Sequence, residues 1–224
     1  MERNKKAELG WVMFDWANSA YSLVISTAIF PIFFLEFSDK TFQFGTISIS
    51  NASVYAYSVS FAYIVVCFVT PILSGIADYG GYRKLFMRIF TTVGSLACMS
   101  LFLFDGPSSQ NLALFSFMLA TASHASSLVF YDSYLNQLVP VNRADKLSAM
   151  GYAFGYIGSV ILMCLNIAMI QKPEFFGIQR CDNSYAHCIS ECGTLVDLFL
   201  SANICLVAKR SNLKMAIRLA YQRL

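Results

Sequence analysis

Ser74-Gly75-Ile76-Ala77-Asp78-Tyr79-Gly80-Gly81-Tyr82-Arg83-Lys84 joins two long apolar runs. An acid closes the first run, glycines turn the chain, and two cations open the second. These charges have the wrong sign for their own helices, because a helix begins in partial positive charge and ends in partial negative charge. Asp78 and Arg83 therefore need partners, either each other or the end of another helix. A plainer reading also stands, in which Arg83, Lys84 and Arg88 act only as topogenic charges on the cytoplasmic side.

The composition on either side of this loop sets the class. Hydrophobic residues make up 57% and charged residues 13%, with a mean hydropathy of +0.56. A soluble domain carries about 25% charge. A membrane helix needs about 20 mostly apolar residues, and such runs occupy residues 11–37, 54–77, 85–104, 112–134, 149–170 and 195–208. The last is short and contains Asp197 and Asn203. The reading is an all-α membrane protein with six transmembrane helices. Arg3, Lys5 and Lys6 precede the first run, and Arg83, Lys84 and Arg88 surround the second loop. Arg143 and Lys146 lie in the fourth loop, and Lys209, Arg210, Lys214, Arg218 and Arg223 follow the sixth run. That leaves Lys40, Lys172 and Arg180 for the other side, a bias that places both termini in the cytoplasm. The net charge of +3 then reads as topology and not as nucleic-acid binding. The first run is too long for the apolar core of a signal peptide, and it contains Asp15 and Asn18.

Polar residues inside the runs are the candidates for function. Asp15, Ser19, Ser22 and Ser26 recur at helical spacing as one polar stripe, with Asn18 at its edge. A carboxylate at the centre of a span costs about 2.5–3.5 kcal/mol on insertion scales. Asp15, about a turn from the cytoplasmic end, is either hydrated there or faces a water-lined cavity. Asp132 stands in the same position on the fourth run. His124 is either a proton-relay group or a structural imidazole bonded to a carbonyl. Ser116, Ala120, Ser123 and Ser127 form a small-residue stripe beside it. Gly151, Gly155 and Gly158 share one face of the fifth run and read as a close-packing surface. Pro71 removes a backbone donor from the second run and is expected to bend it.

Other chemistries find little support. No nucleotide-binding loop, zinc-ligand spacing or nucleophile elbow occurs, so neither an enzyme nor a cofactor nor a metal site is expected. Cys67, Cys98, Cys164 and Cys205 sit in apolar runs as small hydrophobes. Cys181, Cys188 and Cys192 fall in the fifth loop, where a disulfide is permitted on the external side.

The Ser74–Lys84 loop resembles the loop between the second and third helices of the major facilitator superfamily. That pattern runs Gly, three residues, Asp, a basic residue, any residue, Gly, any residue and two basic residues. Asp78, Gly81, Arg83 and Lys84 match it, whereas Ser74 replaces the first glycine and Tyr79 the first basic residue. Phe14-Asp15-Trp16-Ala17-Asn18-Ser19-Ala20-Tyr21, followed by Phe30-Pro31-Ile32-Phe33-Phe34, is similar to the opening of the vacuolar amino-acid effluxer-like branch. Phe130-Tyr131-Asp132-Ser133-Tyr134-Leu135 is similar to its fourth-helix end, where Asn is more usual than Asp132. The stretch from Ser148 to Gly158 matches its glycine-rich fifth helix.

The resemblance implies the N-terminal half of a secondary transporter that exports small metabolites, amino acids among them. Asp15, Asn18, Ser22, His124 and Asp132 would serve the substrate or proton pathway. Asp78, Gly81, Arg83 and Lys84 would form the cytoplasmic gate, with Asp78 meeting a helix end of the other half. The expected partners are the lipid bilayer, a small-molecule substrate, and a second six-helix half or a homodimer. The expected location is the bacterial inner membrane. Residues 1–178 form the transporter half in this reading. Residues 179–224 form a divergent external loop, the short sixth span and a basic amphipathic tail, as a truncation or frame change near residue 179 would leave. The alternative is a half that does not transport, or an assembly subunit of a membrane complex.

Overall fold

The computed structural model describes residues 5–172 and Phe175. In chain order the elements are α1 (Lys5–Ala20), a π-helical segment (Tyr21–Ile29), α2 (Phe30–Phe37), β1 (Thr41–Phe44) and β2 (Ile47–Ser50). Then follow α3 (Asn51–Gly80), α4 (Arg83–Ser100), a 3-10 turn (Leu101–Leu103), α5 (Gln110–Leu138) and α6 (Val141–Gln171). Five of the resulting helical stretches are long and apolar enough to cross a membrane: Ala7–Phe37, Asn51–Gly80, Arg83–Leu103, Gln110–Leu135 and Val141–Ala168. They correspond to the first five runs read from the sequence. The sixth span at 195–208, the cysteine-containing fifth loop and the amphipathic tail lie outside the described residues.

Two features depart from the all-α reading with regular helices. The first is a hairpin between the first two spans, in which Thr41 pairs with Ser50 and Phe44 with Ile47. Its two-residue turn starts at Gly45 with φ of 65°, a conformation open to glycine without a Cβ clash. Phe42 points inward and meets Phe34, at 6.2 Å between ring centres. The second is the nine-residue π-helical segment, whose i→i+5 bonding widens each turn. The Thr27 hydroxyl follows the same offset and donates to Ser22 O, five residues back, at 2.8 Å.

The helices pack in two groups. α1 lies along α6, while α3 and α4 both lie along α5. Lipid offers no hydrophobic drive for helices to associate, so close contact and hydrogen bonds must hold them together. Near the hairpin, Phe30, Phe33, Phe34, Phe104 and Phe117 are buried together. Phe30 and Phe117 stack at 4.5 Å. Such aromatic pairs contribute about 0.5–1.5 kcal/mol beyond their area. At the opposite end Tyr131 stacks between Trp11, at 4.3 Å, and Phe14, at 4.8 Å. Its hydroxyl donates to Trp11 O at 3.3 Å, tying α5 to α1.

Pro71 is accommodated within α3, which runs from Asn51 to Gly80 without a break. Ser50 caps that helix by accepting from Ser53 N, and Gly81 ends it at φ of 68°. The amide of Tyr82 reaches back to Ala77 O at 3.0 Å, the bond expected when a left-handed glycine closes a helix.

Candidate functional site

Three groups of polar residues emerge from this packing. The first is the loop at the end of α3. Arg83 Nε donates to Asp78 Oδ1 at 2.5 Å, so the two wrongly placed charges neutralise each other. Arg83 Nη1 also donates to Ser133 O at 3.2 Å, which clamps the loop onto the last turns of α5. The Lys84 ammonium sits 5.0 Å from the centre of the Tyr134 ring, a cation–π contact with the same helix. Gly81 makes the turn that lets Asp78 and Arg83 face each other. A second clamp closes the same end: Arg143 at the start of α6 donates to both oxygens of Glu8 on α1, at 3.1 and 3.2 Å. These partners lie 135 residues apart, and spacing along the sequence gave no signal for them.

The second group lies between α1 and α6. Asp15 is buried, and its Oδ2 would stand 3.1 Å from a Cβ at Gly151. A Cβ at Gly155 would stand 2.6 Å from Ser19 Oγ, and one at Gly158 would overlap the Trp16 indole. The three glycines thus form the surface against which α1 rests. Asp132, on α5, is exposed.

The third group is a small cleft between α1, α4 and α5, lined by Asn18, Tyr21, Phe90, Thr91, Ser95 and His124 among others. The His124 ring lies 4.6 Å from that of Tyr21, whose hydroxyl bonds with Thr121 Oγ1 at 2.9 Å. Asn18 and His124 therefore come together, as the two pathway candidates that share a cavity. Ser22 does not join them and is exposed. The π-helical segment begins at Tyr21, so the 3.6-residue stripe through Asp15 and Ser19 does not continue in register along Tyr21–Ile29. Thr91 and Ser95 on α4 were not singled out in the sequence. Their spacing with Cys98 (i, i+4, i+7) was the available signal, hidden in a helix taken as plain apolar span.

Comparison with known proteins places this arrangement. The family model described as "Vacuole effluxer Atg22 like" matches residues 3–214, running past residue 179, where the divergent segment was expected to begin. A Bacillus subtilis protein named as an uncharacterized MFS-type transporter is 34% identical over 170 residues, covering 76% of this chain and 39% of that protein. Autophagy-related protein 22 of Coccidioides immitis is 34% identical over 141 residues, or 62% of this chain and 23% of that one. An uncharacterized Aquifex aeolicus protein is 26% identical over 178 residues, 79% of this chain and 42% of its own length. The chain thus spans well under half the length of these relatives. No solved structure matches it. With five membrane-length helices, the Asp78–Arg83 loop and a match over most of its length, the chain is an integral membrane protein of the Atg22-like vacuole effluxer family, a branch of MFS-type transporters and not of enzymes.

Proposed function

We propose that the chain forms the N-terminal half of a secondary transporter, which moves small metabolites, amino acids among them, by alternating access. Family membership is the observation that carries this reading. The clamped loop supports it. Asp78, Gly81, Arg83 and Lys84 form the cytoplasmic gate, already bonded to Ser133 O and Tyr134 on α5. The cation distribution supports an orientation with both termini in the cytoplasm. Asn18 and His124 line the pathway from within their shared cleft, while Asp15 supplies a carboxylate beside it. Ser22 and Asp132, exposed on this half, join the pathway once a second six-helix unit closes over them. The smooth Gly151–Gly155–Gly158 face allows α1 to slide on α6 as the halves rock.

The wall across the pathway comes from a second six-helix half or from a second copy of this chain. Tyr57, Phe61, Phe68 and Ile72 on α3 are all more than half exposed and give such a unit an apolar surface to meet. Crosslinking in native membranes tests this. The reading expects a species of twelve helices joined through α3 or α6; a species that remains monomeric at every crosslinker length contradicts it.

A further inference from the structure

The cleft between α1, α4 and α5 contains unused hydrogen-bonding capacity. Asn18 and Ser95 are 3% and 2% exposed, and neither Asn18 Oδ1 nor Ser95 Oγ has a hydrogen-bond partner. A buried polar atom left unpaired costs about 1–3 kcal/mol, so two of them lining one cavity point to an occupant. Thr91, one turn from Ser95, donates its hydroxyl to Met87 O at 2.6 Å. Its oxygen is left with lone pairs alone to offer a ligand. The aromatic rings of Tyr21 and Phe90 complete the wall, and no Lys, Arg, Asp or Glu is among the lining residues.

We infer that this cleft is the subsite for a protonated amino group of the transported solute, with Asn18, Thr91 and Ser95 as its acceptors. The inference rests on the transporter reading and adds α4 to the pathway. A carboxylate would find no Lys or Arg here and would meet acceptor lone pairs at Asn18 Oδ1 and Thr91 Oγ1. An ammonium group finds three oxygens, with the aromatic side chains of Tyr21 and Phe90 beside them. The cavity, about 20 Å³, admits a single small group and no more. The bulk of the solute must therefore lie outside it, towards the rest of the pathway.

Cys98 lines the same cleft and is buried, whereas Cys67 and Cys164 are exposed. The full chain, reconstituted in lipid, is treated with methyl methanethiosulfonate, and peptide mass spectrometry reads each cysteine separately. Methylammonium is expected to slow modification of Cys98 several-fold and to leave Cys67 and Cys164 unchanged. Acetate and methanol are expected to have no effect. Ser95→Ala and Asn18→Leu should each abolish the protection with helix content retained. Thr91→Val, nearly isosteric, should weaken it even where Asn18→Leu does not fold. Absence of protection, or equal protection by acetate or methanol, overturns the subsite. The assay needs no transport, so protection without solute flux counts against the transporter reading alone, and flux without protection against the subsite alone.

Discussion

Replacing Gly158 by alanine, beside the same change at Gly75, isolates what the contact between α1 and α6 contributes. Both residues lie inside helices, α6 and α3, so the gain in helix propensity is common to both, about 1 kcal/mol. Only their surroundings differ. A Cβ at Gly75 meets nothing within 4 Å, while one at Gly158 would overlap the Trp16 indole. A rigid ring must move or the helices must part, and overpacking of this kind costs about 1–3 kcal/mol. Gly75→Ala is therefore expected to match or exceed the parent in stability, and Gly158→Ala to fall below Gly75→Ala by about 1–3 kcal/mol. For a chain of this length that separates the two melting temperatures by about 2–12 °C. Thermal unfolding in one detergent, followed by tryptophan fluorescence, reads the difference, with Trp16 itself reporting. Equal melting temperatures for the two variants would refute the argument that α1 rests directly on the glycine face.

Three further outcomes follow from the clamps and the topology. Arg143→Ala is expected to cost about 1–2 kcal/mol in the same unfolding assay. It takes one cation from the buried Glu8 carboxylate, but the arginine is itself 39% exposed and screened; no change would mean that the Glu8–Arg143 contact is incidental. Asp78→Asn should alter stability by less than about 1 kcal/mol, because the pair is solvent-exposed, yet it should reduce solute flux, and unchanged flux would remove the loop from the gate. Tyr79→Cys, at a position 99% exposed, should react with an impermeant maleimide only from the cytoplasmic side, and Thr46→Cys in the hairpin turn only from the other. Labelling of both from one side would overturn the assigned orientation.

The first five spans were legible because uninterrupted apolar length is a one-dimensional signal, and so was the turn at Gly81, announced by the glycine pattern of that loop. The π-helical segment was not legible: Tyr21–Ile29 contains neither Gly nor Pro to announce it. Asp15 and Asn18 both precede it on α1, where Asp15 rests against Gly151 and Asn18 lines the cleft, whereas Ser22, inside the segment, is exposed. The hairpin could have been read from the alternation of Phe42, Phe44, Ile47 and Ile49 around Gly45. Ser95 and Thr91 could not be recognised as cavity residues until α4 was docked on α5. The Glu8–Arg143 clamp likewise exists only in three dimensions.

Solute counterflow in proteoliposomes tests the central claim most directly. The chain would be reconstituted alone and together with the C-terminal half of the Bacillus subtilis relative, with a labelled amino-acid mixture outside and unlabelled mixture inside. The account expects flux above empty vesicles in the arrangement that yields a crosslinked twelve-helix species, and loss of that flux in Asp78→Asn. Correct insertion and assembly without flux of any solute would contradict it.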